Sequence, residues 1–280
     1  MRGWKQPGWR YAVTSTIAVL VLSGLCTAVM ATSHKLVLTG SSTVAPLAAE
    51  LGRRFESMHP GVRVDVQTGG SSRGINDARK GIADIGMVSR AIKPNEQDLQ
   101  AFTIALDGVG IIVHASNVVA SLTRQQIADI YTGKITNWRD AGGKDARITV
   151  VNKAEGRSTL ELFLAYFRLK NSDIKPHIII GDNQQGIKTV AGNPFAIGYV
   201  SIGASEYDAQ HGVPIKLLPM NEVAASVANV RNGSYPLARP LNLVTRTAPT
   251  GLVKQFIDFA RTEQVHDLVE AQYFVPASVH

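Results

Sequence analysis

From residue 35 onward, short β-branched runs take turns with stretches in which apolar residues recur every three or four positions. The runs 35–38, 62–67, 109–113, 148–152, 178–180 and 240–244 predict strands. Helical spacing over 44–59, 74–81, 123–131, 158–170 and 251–260 predicts helices that each bury one face. Strands interleaved with helices in this way point to an α/β fold. The apolar strand 109–113 is followed by a passage, 114–122, into a new set of strands, and a polar, glycine-containing link precedes the last strand. This predicts two lobes, one from 35–113 and 237–280 and the other from 114–236, with the chain returning to the first. No internal repeat or low-complexity segment interrupts the pattern.

The segment ahead of residue 32 follows a different rule. After Arg2, Lys5 and Arg10, the stretch 11–31 carries no charge, which is the pattern of an export signal, and Val29-Met30-Ala31 supplies a small-residue cleavage site. Residues 1–31 are therefore expected to be a signal peptide or an N-terminal membrane anchor, with the rest periplasmic or otherwise extracytoplasmic. The one cysteine, Cys26, lies inside this segment behind Leu25, where a lipoprotein signal needs a smaller residue. Disulfides and thiol chemistry are thereby excluded from the exported part. The formal charge of +7 falls to +4 without the three leader bases. No basic run interleaved with aromatics accompanies that charge, so nucleic acid is not an expected partner.

Candidate chemistry concentrates at three strand-to-helix turns: Gly40-Ser41-Ser42-Thr43-Val44, Gly69-Gly70-Ser71-Ser72-Arg73-Gly74 and Glu155-Gly156-Arg157-Ser158-Thr159. The first N–H groups of a helix lack intrahelical acceptors and sit at its positive end. Hydroxyls add donors, and glycine lets a ligand approach the backbone. Three such turns in one chain point to a cage for a small oxyanion. Gly70-Ser71-Ser72-Arg73-Gly74 also satisfies G-x-S-x-G between a strand and a helix, so a secreted serine hydrolase using Ser72 is the alternative of another class. The seven histidines show no metal-ligand spacing, and no acidic cluster suits a divalent cation, so neither a metal nor a cofactor is expected.

Read in order, Leu38-Thr39-Gly40-Ser41-Ser42-Thr43-Val44-Ala45-Pro46, Gly69 to Ile75, Ala83-Asp84-Ile85-Gly86-Met87-Val88-Ser89-Arg90, the run 127–138 and Ala196-Ile197-Gly198-Tyr199-Val200 resemble the phosphate-type substrate-binding proteins of ABC transporters. The resemblance covers nearly all of the chain after the leader. It implies a two-lobed α/β fold of the type II periplasmic-binding-protein kind, a ligand cleft between the lobes, closure by hinge motion and delivery to a membrane permease. The implied ligand is phosphate, with sulfate or another tetrahedral oxyanion next; a sensory or adhesive relative would keep the fold without feeding a transporter.

By the same resemblance, Thr43, the Val44 N–H and Ser71 match family contacts, with Ser42 and Ser72 beside them. The third turn departs from the family pattern Arg-x-x-Gly-Ser-Gly-Thr: Lys153 replaces the arginine, Arg157 a serine and Ser158 a glycine, while Thr159 is kept. After the D-x-G strand, where the best-known phosphate binders carry a carboxylate, this chain has Ser89 and Arg90. Arg90 and Arg157, then Lys153, are the expected charge-compensating groups, and Glu155 or Ser89 the expected acceptor for a phosphate proton.

Overall fold

The computed structural model describes residues 34–277, so the leader, its cleavage site and Cys26 lie outside the described residues. Among the described residues, no helix is long and apolar enough to cross a membrane.

The first half is built from parallel strands joined by helices. Strand β1 (His34–Gly40) leads into helix α1 (Ala45–Met58), which begins with a proline in its first turn, where the missing N–H costs nothing, and buries Leu47, Leu51 and Phe55. Strand β2 (Val62–Thr68), helix α2 (Ser71–Lys80) and strand β3 (Ile85–Val88) follow, with β1 pairing in parallel to both β2 and β3. The long strand β4 (Gln100–His114) then crosses into the second half. There, α3 (Arg124–Tyr131) starts at a capping box formed by Thr123 and Gln126. Strand β5 (Thr149–Lys153), helix α4 (Ser158–Phe167), strand β6 (Ile178–Ile180), helix α5 (Asn183–Ala191) and strand β7 (Ala196–Ser201) continue the alternation. After α6 (Ile202–Gln210), β8 (Ile215–Leu218) and α7 (Val227–Arg231), strand β9 (Ala238–Thr245) carries the chain back, and α8 (Gly251–Phe259), α9 (His266–Ala271) and β10 (Val275–Pro276) close it.

The strand order is β2-β1-β3-β9-β4-β7-β5-β6, with β8 and β10 also on β4. Strand β4 is the spine: its 100–108 part pairs antiparallel with β9 and its 109–113 part with β7. The side chains divide accordingly into two main cores. Leu36, Leu38, Leu51, Phe55, Ile85, Ile104, Leu243 and Phe256 fill one, and Val109, Ile111, Tyr131, Trp138, Phe163, Tyr199 and Leu237 fill the other. The molecule is a two-lobed α/β protein. Packing changes sides within β4, between Ala105 and Val109.

Candidate functional site

All three predicted turns meet where the two cores face each other. At the first, Gly40 has φ 130°, and an added Cβ would sit 2.3 Å from the Met87 carbonyl oxygen, so only glycine lets β1 turn there. The Ser41 hydroxyl accepts from the amides of Thr43 and Val44 at 3.2 and 3.3 Å, tying off the start of α1. At the second turn, Gly70 has φ 95°, and a Cβ would lie 2.5 Å from the Gly156 carbonyl oxygen of the third turn. The Ser72 amide donates to that same carbonyl at 3.2 Å, so the two lobes touch backbone to backbone.

Hydroxyls from both lobes converge at this contact. Ser71 Oγ donates to Ser158 Oγ at 3.0 Å, Ser158 Oγ and Ser89 Oγ lie 2.6 Å apart, and Ser41 Oγ donates to Ser89 Oγ at 2.9 Å. The small cavity they enclose is also lined by Ser42, Thr43, Gly70, Lys153, Arg157, Thr159 and Gly181. It is narrow, and its serines spend their hydrogen bonds on one another. A groove of about 550 Å³ opens beside it and shares Ser42 and Thr43 as wall.

Positive charge reaches the cage from an unanticipated direction. Arg239, on β9, is wholly buried and bound by Asp107 of β4 at 2.8 Å through Nη2 and 3.2 Å through Nε. Its outer nitrogens donate to Thr159 Oγ1 at 2.9 Å and to Thr43 Oγ1 at 3.2 Å, one threonine from each lobe. Asp107 is also oriented by the Gly203 amide. A carboxylate on one side therefore fixes the guanidinium fork, whose other edge serves the cage. Asn183, at the start of α5, completes this wall: its Nδ2 donates to Thr43 Oγ1 at 3.1 Å, and its Oδ1 accepts from Lys153 Nζ at 3.0 Å. Burial, and then the neighbouring Arg239 charge, lower the Lys153 ammonium to a pKa of about 7. Arg157 lines the cavity with its Nε buried and without a hydrogen-bond partner among the described residues.

Of the residues expected from the sequence, Ser42, Thr43, Ser71, Ser89, Lys153, Arg157, Ser158 and Thr159 line the cavity. The other three lie apart from it. Val44 is buried in the core, and its amide is taken by Ser41. Ser72 turns outward and donates to Glu161 Oε1 at 3.3 Å. It sits inside α2 and is absent from the residues of positive φ, so the strained elbow that a G-x-S-x-G nucleophile occupies is not formed.

Arg90 does not face the cage. The chain bends after β3, and there Arg90 is turned to the side away from Ser89. There it binds Glu96 through two bonds of 2.7 and 2.8 Å and meets Glu161 at 2.9 Å. Burial would raise the Glu96 carboxyl, but the Arg90 bond and the Lys93 amide outweigh it and hold its pKa below the usual range. Glu155 is exposed and accepts from Asn171, away from the cavity.

Arg239, Asp107, Asn183 and Ser41 were missed. The usable signal was a single charge inside each of two otherwise apolar strand stretches, Asp107 in 104–113 and Arg239 in 235–244, which together announce a buried pair.

Comparison with known proteins places the chain in a family. The PBP superfamily domain matches residues 27–263. The phosphate-binding protein PstS of Bacillus subtilis is 28% identical over 251 residues, covering 88% of this chain and 82% of the relative. Among solved structures, a putative phosphate ABC transporter substrate-binding protein with bound phosphate from Clostridium perfringens superposes with a TM-score of 0.81 at 33% identity, covering 88% of this chain and 100% of the other. An ABC-type phosphate transport receptor from Vibrio cholerae gives 0.69 at 30% identity, covering 87% and 100%. With its two cores, its crossing strands and the cage between them, this chain belongs to the PBP superfamily.

Proposed function

We propose that the protein is an exported, non-catalytic receptor that encloses inorganic phosphate between its lobes and presents it to the permease of an ABC transporter. The observation that carries this reading is the convergence of a threonine from each lobe, Thr43 and Thr159, on one fixed, buried guanidinium, that of Arg239, beside serines of both lobes that bond to one another. Such a site can replace the hydration shell of a small oxyanion with oriented donors, and the outer edge of the guanidinium fork matches two of its oxygens. The phosphate-binding relatives and the phosphate-bound structure from Clostridium perfringens support that choice of oxyanion. Hinge motion between the lobes belongs to the proposal: β4 and β9 run between the two cores, and at the cage the lobes meet through polar contacts.

Calorimetric titration of ligand-stripped protein with phosphate and then sulfate, at pH 6 and pH 8, tests the reading. Strong phosphate binding with a weak sulfate response is expected. Equal binding of both anions would make this a general oxyanion receptor, and binding of neither would leave the resemblance supporting the fold alone.

A further inference from the structure

Lys153 stands at the end of β5 with 3% of its surface exposed, facing the cage. Its ammonium would carry three N–H donors, yet among the described residues one acceptor meets it, the Asn183 side-chain oxygen. None of the ion pairs among the described residues includes it. The groups that face it come from every surrounding element. Arg239 of β9 and Arg157 at the start of α4 are positive, while Asp182 at the cap of α5 is negative but holds the Gln185 amide at 2.8 Å. The Tyr199 hydroxyl of β7 lies over the Lys153 backbone amide, and Thr43 of α1's approach and Ser71 of α2 are neutral. Asp107 is committed to Arg239 and Gly203.

A buried ammonium without a counter-ion either sheds its proton or acquires an anion. On the reading of this cage as the oxyanion site, the incoming anion is that counter-ion. We propose that Lys153 is the proton-uptake group of the site: enclosing a dianion places a proton from the solvent on Nζ, and the charged lysine and the ligand then hold each other in place. The free site thus adjusts its own charge to the ligand. An oxyanion of lower charge returns less to the lysine, so Lys153 also discriminates by ligand charge. Burial and the two neighbouring guanidiniums set the free-site value of about 7, so above that pH the uptake approaches one proton per anion.

The test uses phosphate and the whole exported chain at pH 8.5, titrated in two buffers of different ionisation enthalpy. Wild type is expected to take up about one proton per phosphate bound, and Lys153→Arg, whose charge is permanent, about none. Between pH 7.5 and pH 9, the ratio of wild-type to Lys153→Arg affinity should fall by more than about tenfold; the ligand's own ionisation cancels in that ratio. Uptake that persists in Lys153→Arg, or binding by wild type with no uptake, overturns the proposal while leaving the oxyanion site standing. Absence of phosphate binding in wild type overturns the site itself.

A second measurement needs no variant. In wild type labelled with isotopic lysine, one side chain should titrate near 7 without phosphate and move well upward with it. Ordinary titration of all the lysines would refute the inference.

Discussion

Arg239 and Asp107 form a buried pair that the fold needs and the proposed site would use. Both are buried, and removing either partner alone leaves the other as an uncompensated charge, which costs about 3 to 5 kcal/mol. Arg239→Ala is therefore expected to lose stability of that order in urea unfolding together with phosphate binding. The double change Arg239→Met with Asp107→Leu removes both charges, and should recover most of the stability while leaving binding absent. A double variant that still bound phosphate would show that the guanidinium is not part of the site. The same pair explains what the sequence hid at this scale. Hydroxyl and glycine clusters announce themselves locally, so Thr43, Ser71, Ser158 and Thr159 were legible. Arg239 and Asp107 lie 132 positions apart and acquire meaning only when β9 pairs with β4. Arg90 misled for the converse reason: its place beside Ser89 was legible, but the side it faces was not.

At the scale of elements, α4 does more than present Ser158 and Thr159. Its first turn carries Glu161, which favours the positive helix end, and that carboxylate reaches across to the first lobe. Lys93 Nζ lies 2.7 Å from Glu161 Oε2 and Arg90 Nε 2.9 Å away, with Ser72 on the other oxygen. The contact is a clasp between lobes, so Glu161→Gln should weaken phosphate affinity by about threefold to tenfold and expand the ligand-free protein in small-angle scattering. Unchanged affinity and dimensions would reduce the clasp to a surface ion pair. Legibility varied with periodicity. Strongly amphipathic α1 and α8 and the capped α3 could be read from the chain. The first half of β4 could not, because Thr103 and Asp107 break its apolar run for the sake of a polar partner across the sheet, Asn242, and of Arg239. Weakly amphipathic α6 also escaped notice.

Across the whole molecule, two separate cores share β4 and β9 and meet again at the cage. A ligand held by groups from both is worth more than its local contacts, since it couples the unfolding of one core to that of the other. Phosphate at a hundred times its dissociation constant is expected to add about 2.7 kcal/mol to stability and to merge any separate thermal steps into one. If only one calorimetric step shifted, the anion would be bound by a single lobe. The α/β class and the two-lobed plan were visible in the alternation of strands and helices.

The location of the fixed charge sets an order of events. Arg239 stands on a strand that runs between the lobes, anchored to Asp107 on the other, so its orientation does not depend on the lobes coming together. An arriving anion can meet that charge while the hydroxyl walls are still apart. On the proposed function, capture and retention would be separate tasks: the rate of arrival would depend on Arg239, and residence time on the serines and the Glu161 clasp. A permease that pries the lobes apart would shorten the stay without blunting the receptor's ability to catch the next ion.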